Sequence, residues 1–372
     1  MTRSDPDCPP DPMRLPVNAG LPAAEAHPLD LDAGPLVSVV TPFYNTAAYL
    51  AECIESVLAQ SYRHFEYILV DNQSTDGSRA LADAFAARDP RIRVHSTDRF
   101  LSQLENYNAA LRLVSPESRF VKIVQADDAV FPTCLEEMMR LAVAHPTVGI
   151  VSAFMLRGRE VRLDHYDFAS NVVSGRAIVR ARVLDDRNYF ASPTTVLIRS
   201  EIVRARPRFF DPDDLHADTE TYLEILLDSD FGFVSQVLTL ERLRPESILG
   251  QIAEFDPAWS LLGHFIDVRR FGPRVLGEAE MTACWRKTER AYLRYLAALL
   301  IGSHRKQLWE RHTSGWATVG YHPNPVRLGC YMLSALVALL MNPRKLAAAV
   351  RRAMTRMRAK TKETTAAHAV QD

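Results

Sequence analysis

The feature that most constrains the fold is an alternation of short apolar runs and helical patterns between residues 36 and 155. The first run, LVSVVT, starts at Leu36, and further runs cover residues 65–70, 92–95 and 120–125. An unbroken run rich in β-branched residues is typical of a strand buried on both faces, and each run is followed by a segment with helical spacing. Strands that alternate with helices in this way predict an α/β fold with a doubly wound, mostly parallel sheet.

The rest of the chain has a different character at each end. The beginning is rich in proline and acidic side chains, which predicts a disordered leader over residues 1–35 without a secretory signal. Strand and helix patterns continue more loosely towards residue 245, and the sequence beyond is almost wholly helical in pattern. We therefore predict an α/β domain over 36–245, with halves at 36–155 and 156–245, and a helical C-terminal region over 246–372.

Composition excludes several classes of protein. The 372 residues are 47% hydrophobic, and 44 Lys and Arg against 45 Asp and Glu leave a formal net charge of -1. Such a chain is too apolar to be disordered and too evenly charged for a dedicated nucleic-acid-binding protein, so we expect no nucleic-acid partner. Its five cysteines form no C-x-x-C pair, which argues against a disulfide framework or a structural zinc and favours a reducing, cytoplasmic location.

Polar clusters follow three of the predicted strands, at residues 41–45, 71–77 and 125–128. In a doubly wound sheet, ligands bind beyond the carboxyl ends of the strands. Turn and helix-cap preferences explain one such loop alone, but three loops at equivalent strand ends indicate a binding site. No glycine-rich phosphate loop is present, so a bound phosphate needs another positive charge. Adjacent carboxylates provide it by holding Mg²⁺ or Mn²⁺, and Asp127 and Asp128 suit this function.

Four segments of the chain resemble the family 2 glycosyltransferases. They are VSVVTPFYN, YILVDNQSTDGS, NYNAAL and QADDAVFPTCLEEM, and together they extend over residues 36–155, with a weaker match to about residue 245. The resemblance implies a GT-A type, Rossmann-like sheet and an inverting, metal-dependent transfer of sugar from a nucleotide sugar, with UDP-sugar as the expected donor. The acceptor is expected to be a glycan or a lipid-linked molecule, in the synthesis of cell-surface polysaccharide or glycolipid.

The resemblance also implies a set of nucleotide-binding residues, in which Asp71 contacts the base. The set is Thr41, Phe43, Asn45, Asp71, Ser74, Asp76, Gln125 and Asp127. The family often has Asp where Gln125 stands, and Gln brings no charge. The metal ligands are therefore expected to be Asp127 and Asp128, and the sequence leaves open which of the two binds directly.

An inverting transfer needs one general base on the acceptor side, to take the proton from the attacking hydroxyl. Asp218 stands where the family's catalytic Asp precedes a helix, and the alternative for it is a helix N-cap. Glu220 is the second candidate for the base, and His216 would orient the acceptor or a phosphate. Arg242 and Arg244 either stabilise the departing diphosphate or are surface charges.

Two further features each allow two interpretations. Asn108 either faces the nucleotide or lies on a helix surface. The 14-residue apolar run Leu328–Met341 is too short to span a bilayer and is either a buried helix or part of a membrane-surface contact. The tail after it, residues 342–372, has eight Lys and Arg against two acidic residues in a partly amphipathic pattern, which predicts peripheral contact with anionic lipid at the inner face of the cell membrane.

Two other functions are compatible with parts of the sequence. A nucleotidyltransferase also uses paired carboxylates on an α/β sheet, but the first loop, TPFYNTAAYL, contains no cation to meet a triphosphate. A non-catalytic nucleotide-sugar-binding or membrane-associated module would account for the uncharged Gln125. Binding of UDP that is indifferent to metal, without turnover, would distinguish this module from an enzyme.

Overall fold

The chain folds into two compact units. The computed structural model describes residues 29–163, 170–214, 216–243, 256, 259–301 and 305–341. The first unit takes in the chain up to residue 247 together with 270–281, and the second takes in 248–269 together with the chain from 282 onwards.

Ten strands and eleven α-helices lie within the described residues. The strands are β1 Val37–Phe43, β2 Phe65–Asp71, β3 Ile92–Ser96, β4 Phe120–Ile123, β5 Ala129–Val130, β6 Val148–Arg157, β7 Glu160–Arg162, β8 Val172–Val173, β9 Leu197–Arg199 and β10 Asp230–Glu241. The helices are α1 Ala47–Leu58, α2 Ser78–Ala86, α3 Gln103–Leu111, α4 Cys134–Ala144, α5 Gly175–Asp185, α6 Ser200–Arg204, α7 Ala217–Leu226, α8 Ser260–Val275, α9 Glu278–Leu300, α10 Arg305–Thr318 and α11 Pro325–Leu340.

The strands form one mixed sheet in the first unit, in the order β3-β2-β1-β4-β9-β6-β10-β5, with β7 paired to β6 and β8 to β10. The pairs β1 with β2, β1 with β4, β2 with β3 and β6 with β10 are parallel. The short strand β9 runs antiparallel between β4 and β6. The α/β prediction with a mostly parallel sheet is confirmed, and the antiparallel strand in its centre is an addition that the apolar pattern did not predict.

The sheet has a topological switch point at β1. Successive strands extend from β1 through β2 to β3 on one side, whereas β4 adds on the other side. Val40 lies opposite Ile68 of β2 and Ile123 of β4, so the carboxyl ends of all three strands reach the same edge. Loops that leave a sheet in opposite directions open a crevice, and such crevices bind ligands.

The helices on this sheet bury the faces that their apolar spacing predicts. Leu50, Ile54 and Val57 of α1 lie in the core of the first unit, and each such side chain stabilises the fold by about 1.5–3 kcal/mol.

The core also reaches into the predicted leader. Leu31 packs against the core, and the Leu31 carbonyl accepts a 2.7 Å hydrogen bond from Arg63 N. Residues 29–35 are therefore part of the folded unit, contrary to the prediction that order begins at Leu36.

The second unit is helical, as its sequence pattern predicts. Its core contains a Phe265 ring stacked on Tyr292 at 4.3 Å, and Trp316 Nε1 donates a 2.8 Å hydrogen bond to the Tyr292 hydroxyl. Helix α11 contains the apolar run Leu328–Met341 except its last residue, and Leu328 is buried in this core. No helix in the described part of the chain is both long and apolar enough to cross a membrane.

Candidate active site

Hydrogen bonds join the loops that follow β1 and β2. Asn45 N donates to Ser74 Oγ at 3.0 Å, and Ala47 N donates to Asp76 Oδ2 at 2.9 Å. In return, Thr75 N donates to Asn45 Oδ1 at 2.8 Å. Helix α1 has no side-chain cap of its own, so the second loop supplies acceptors for amides at its first turn.

Asp76 is held in its charged form. Its Oδ1 accepts hydrogen bonds from Ser78 N and Ser78 Oγ at 3.0 and 2.6 Å. Burial opposes the charge, but the hydrogen bonds from Ser78 and Ala47 outweigh it and hold the pKa of Asp76 below its usual range. Asp76 and Ser74 therefore fix the loops in place, and their contact with a nucleotide stays a prediction.

Asp71 ends β2 as a buried side chain at the bottom of this loop pair. Its Oδ1 accepts a 2.9 Å hydrogen bond from Ser74 N, and Asn72 beside it bonds both backbone groups of Leu101 at 2.8 and 2.9 Å. Tyr44 follows β1 and Phe100 precedes Leu101, and the rings of Tyr44 and Phe100 meet edge to face with centroids 4.9 Å apart. Both rings are exposed, so the strand ends present an aromatic surface to solvent. No sequence motif pointed to Phe100.

Thr41 and Phe43, by contrast, direct their side chains into the core. The Thr41 hydroxyl donates to the carbonyl of Val124 at 2.8 Å and lies 3.1 Å from the Tyr67 hydroxyl, and Phe43 belongs to the apolar core. Both residues join β1 to its neighbours. Any contribution of Thr41 and Phe43 to the nucleotide pocket, which the resemblance implies, stays a prediction.

The third loop holds the acidic pair in a tight turn. Asp128 N donates to the carbonyl of Gln125 at 2.9 Å, and Asp128 is buried, whereas Asp127 is partly exposed. Thr194, in the 3₁₀ turn Pro193–Thr195, holds this acidic turn in place. The Thr194 hydroxyl donates to Asp128 Oδ2 at 2.6 Å and accepts from Gln125 N at 3.1 Å. Thr194 is a residue that sequence reasoning missed.

Burial and the charge of Asp127 raise the pKa of Asp128 to about 7. The pair therefore combines two carboxylates of which one is poorly solvated. A divalent cation favours oxygen ligands and relieves repulsion between them, so these residues fit a metal that takes its remaining ligands from phosphate and water. Within the described residues, no group of three His, Cys, Asp or Glu side chains gathers at metal-binding distance.

The acceptor-side acids differ in how their charges are compensated. Asp218 lies in the first turn of α7, where His216 is the N-cap residue, so Asp218 is not the cap. Its Oδ1 accepts a 2.7 Å hydrogen bond from Thr219 N, and no described cation pairs with it. Glu220 instead forms an ion pair with Arg270.

These surroundings favour Asp218 over Glu220 as a base. Asp218 is half-buried, and the loss of hydration raises its pKa above the usual carboxylate range. A carboxylate with a raised pKa is a stronger proton acceptor near neutral pH. Glu220 forms an ion pair with Arg270, and protonation of Glu220 would lose that attraction. Glu220 is therefore the weaker proton acceptor.

Tyr107 of α3 connects the acidic pair with the acceptor-side acid. Burial raises the pKa of its phenol, and the negative charges of Asp127 and Asp128 raise it further, with a smaller contribution from Asp218. The pKa of this one buried hydroxyl responds to all three carboxylates, so Tyr107 lies within electrostatic reach of Asp127, Asp128 and Asp218. That the three acids act together in one site stays a prediction. Tyr222 of α7 is affected by Asp218 in the same way.

Asn108, next to Tyr107, differs from both of its predicted interpretations. Its side chain is buried: Nδ2 donates to the carbonyl of Phe210 at 2.7 Å, while Oδ1 accepts from Phe209 N at 3.0 Å and Phe210 N at 2.9 Å. Asn108 therefore fastens the segment before α7 to α3. The side chain serves this contact and is not on a helix surface.

Arg242 lies beside the acidic turn. Its guanidinium forms an ion pair with Glu52 of α1 and lies 5.8 Å from the ring of Tyr49, and its backbone N lies 3.4 Å from Asp128 Oδ1. It is thus a partly buried residue at the site edge. Arg244, the other basic residue predicted here, lies outside the described residues.

Comparisons with known proteins agree with this geometry. The sequence profile described as Glycosyl transferase family 2 matches residues 38–206. Glycosyltransferase GlyG of Streptococcus pneumoniae is 30% identical over 234 residues, which cover 60% of this chain and 76% of that protein. The putative glycosyltransferase EpsE of Bacillus subtilis is 34% identical over 129 residues, which cover 34% of this chain and 45% of EpsE.

Solved structures support the fold. TarS of S. aureus in complex with UDP-GlcNAc has a TM-score of 0.57 at 18% identity, over 80% of this chain and 84% of that chain. The mannosyltransferase PcManGT of Pyrobaculum calidifontis, in complex with GDP-Man and Mn²⁺, has a TM-score of 0.50 at 21% identity, over 84% and 89% of the two chains.

The mixed sheet, the acidic residues at its switch-point edge and the likeness to these structures place this chain in the class of GT-A glycosyltransferase folds. The sequence comparisons go one step further. The chain belongs to glycosyl transferase family 2, and its activity is accordingly the transfer of sugar.

Proposed function

We propose that this chain transfers a sugar, with inversion at the anomeric carbon, from a nucleotide sugar to a hydroxyl of a glycan or lipid-linked acceptor. The observation that carries the proposal is the acidic turn Asp127–Asp128 at the carboxyl edge of the sheet, which Thr194 holds by a 2.6 Å hydrogen bond to Asp128. Asp218 is proposed to belong to the same site because its charge, like those of Asp127 and Asp128, acts on Tyr107. Inversion requires a base opposite the leaving diphosphate and no covalent intermediate. Among the described residues, Asp218 of α7 has no cationic partner, whereas Glu220 pairs with Arg270 and Glu224 with Arg274.

The donor end of the site is proposed to bind the nucleotide. Asn45, Asp71, Ser74 and Asp76 would line the base and ribose side, while Gln125 and Asp127 would face the ribose and diphosphate. The rings of Tyr44 and Phe100 are exposed and stand edge to face, so the face of one of them is available for a base to stack on. The complexes of TarS with UDP-GlcNAc and of PcManGT with GDP-Man support a nucleotide sugar as donor, and we propose a UDP-sugar.

We propose Asp127 and Asp128 as ligands for Mg²⁺ or Mn²⁺. A bound divalent cation would neutralise charge on the diphosphate as the sugar departs. Thr194 fixes Asp128 by the 2.6 Å hydrogen bond, so the orientation of that carboxylate does not depend on the metal. The Mn²⁺ in the PcManGT complex supports the choice of ion.

In the reaction, the acceptor hydroxyl oxygen forms a bond to the anomeric carbon as the bond from that carbon to the diphosphate oxygen breaks. Asp218 takes the hydroxyl proton, and the leaving oxygen keeps the electron pair. Because burial raises the pKa of Asp218, the proton transfer is more favourable than it would be to an ordinary carboxylate. Arg242, beside the acidic turn, is proposed to add positive charge near the diphosphate.

The cellular role is proposed from the relatives. The putative teichuronic acid biosynthesis glycosyltransferase TuaG of Bacillus subtilis is among them, 39% identical over 98 residues. We therefore propose synthesis of cell-surface polysaccharide or glycolipid by an enzyme at the inner face of the cell membrane. The basic tail, residues 342–372, would contact anionic lipid, and it lies outside the described residues.

The proposal is tested by thermal shift with a panel of nucleotide sugars, each with and without Mn²⁺. Ligands that bind the native state raise the melting temperature by mass action, so the preferred donor is the one with the largest metal-dependent shift. Release of nucleoside diphosphate from that donor then reports turnover. Metal-independent binding of UDP without any turnover would instead assign the chain to the non-catalytic class.

A further inference from the structure

Helix α11 exposes an apolar face that its own unit does not cover. Its members are Leu333, Leu336, Val337, Leu340 and the following Met341, which are between 42% and 79% exposed. They recur three or four residues apart, so they lie on one side of the helix. The segment from Leu328 to Met341 contains no charged residue. This face corrects the buried-helix interpretation for the second half of α11.

A cationic stripe runs along α9 in the same unit. Arg286, Lys287, Arg290 and Arg294 are exposed and line a shallow groove with Ala283 and Ala291. Their spacing of three or four residues places them on one side of α9. No ion pair with the described residues compensates any of these four charges, whereas the neighbouring Glu289 is neutralised by Arg327.

The apolar face and the cationic stripe belong to adjacent helices. The Arg294 guanidinium lies 5.8 Å from the centre of the Tyr331 ring of α11. One turn earlier, Arg327 Nη1 donates to Glu289 at 2.8 Å, so α9 and α11 run side by side in the same direction. Exposed apolar side chains next to uncompensated cations are the combination that binds the interface of an anionic bilayer.

We propose that the cationic stripe of α9 and the apolar face of α11 together dock this protein on an anionic lipid bilayer. The inference builds on the proposed membrane contact of the tail but assigns a contact to two described helices, independently of catalysis. The sequence after Met341 adds eight Lys and Arg against two acidic residues, which extends the positive charge from the end of the apolar face. A second copy of the chain is a poorer occupant, because pairing two such surfaces brings like charges together.

Co-sedimentation of the full-length protein with vesicles tests this docking. We expect binding to phosphatidylcholine vesicles that contain phosphatidylglycerol and little binding to phosphatidylcholine alone, with a decrease as salt is added. Each cation near the surface contributes about fivefold in affinity, so Arg286→Gln with Arg290→Gln should weaken binding by about 30-fold. The matched control is Arg112→Gln with Arg119→Gln, two exposed cations of the first unit, and should bind as wild type does.

The apolar face is tested separately. Leu333→Ser with Val337→Ser should weaken binding on the order of tenfold, because less apolar surface enters the interface. The control Val143→Ser with Val161→Ser changes two exposed valines of the first unit and should leave binding unchanged. A polarity-sensitive fluorophore on the exposed Cys330, in a Cys8→Ser background, should shift to the blue on addition of anionic vesicles.

Several outcomes would overturn the docking. They are absence of binding by wild type, wild-type binding by both pairs of variants, and an unshifted fluorophore. If the Leu333→Ser, Val337→Ser protein changes from dimer to monomer in light scattering while vesicle binding is unchanged, the face belongs to a second copy. Turnover of a nucleotide sugar is measured on the same preparations, so loss of docking and loss of sugar transfer are separable.

Discussion

The hydroxyl of Thr194 donates a 2.6 Å hydrogen bond to Oδ2 of Asp128, across 66 positions of sequence. The same hydroxyl accepts from Gln125 N at 3.1 Å, so one buried side chain holds both ends of the acidic turn. The chain therefore places one of its proposed metal ligands by a contact from the 3₁₀ turn that precedes the antiparallel strand β9.

Replacing Thr194 by Val should weaken Mn²⁺ binding by about 10–100-fold, because partners that orient a metal-binding carboxylate have effects of that size. The substitution also removes the hydrogen bonds that Thr194 makes to Asp128 Oδ2 and Gln125 N, and each buried polar atom left unpaired costs about 1–3 kcal/mol. Electron paramagnetic resonance of free Mn²⁺ measures the affinity, and Thr194→Ser should restore it.

The matched control for this change is Thr195→Val. The Thr195 hydroxyl bonds carbonyl groups of Phe190 and Ser192 and does not contact Asp128. Thr195→Val should lower the melting temperature without a change in Mn²⁺ affinity. Equal loss of affinity in both variants would mean that Thr194 acts only through the stability of the turn.

Replacing Asp218 by Asn should stabilise the protein at neutral pH while it slows turnover. The pKa of Asp218 is raised in the folded state, so folding favours the protonated form and the charged form costs stability. Asn avoids that cost and keeps the bond from Thr219 N. The gain in melting temperature over wild type should be largest at neutral pH and vanish as the pH falls to about 4, the ordinary carboxylate pKa. A lower melting temperature for Asp218→Asn at neutral pH would contradict this explanation.

The pH dependence of turnover should also report the protonation of Asp218. A base must be unprotonated, and burial raises the pKa of Asp218, so activity should begin to fall at a higher pH than an ordinary carboxylate would dictate. Initial rates of nucleoside diphosphate release, measured with saturating donor and metal, give the profile. A rate that stays constant down to about pH 4 would exclude a base with a raised pKa.

Replacing Asn108 by Ala should destabilise the first unit by about 2–4 kcal/mol. Three buried hydrogen bonds to residues 209 and 210 disappear, and the two amides and one carbonyl are left without this partner. Urea unfolding measures the change. Asn72→Ala is a useful comparison, because Asn72 fastens a different loop through Leu101. If Asn108→Ala unfolds at the wild-type urea concentration, the three hydrogen bonds of Asn108 contribute little to stability.

The sequence predicted the parts of the fold that depend on local pattern. The apolar runs that became β1, β2, β3 and β4 alternate with helical segments, and this alternation is enough to indicate a parallel sheet. It cannot indicate β9, because three residues paired antiparallel between β4 and β6 owe their place to partners distant in the chain. The extension of order to Leu31 depends in the same way on a contact with Arg63.

The site shows the same division. Asp127 and Asp128 carry a chemical signal in the sequence because an acidic pair directly follows a buried strand. Asp218 is indicated only through the family resemblance, since an acid at a helix start is ordinary by itself. Thr194 carries none, since a threonine in a turn is ordinary until the fold brings it to Asp128. Helical spacing likewise could not show that Asn108 reaches the backbone of residues 209 and 210.

The choice between Asp218 and Glu220 tests the central claim most directly. Single-turnover release of nucleoside diphosphate is measured for wild type, Asp218→Asn and Glu220→Gln with the donor and Mn²⁺ identified by thermal shift, and donor binding is measured in parallel. Removal of a general base costs about 10²–10⁴-fold in rate, so Asp218→Asn should bind donor as wild type does and release diphosphate at least about 100-fold more slowly. Glu220→Gln, which disturbs the pair with Arg270, should lose less than about tenfold. Wild-type release by Asp218→Asn, or a larger loss in Glu220→Gln, would contradict the assignment of Asp218 as the base.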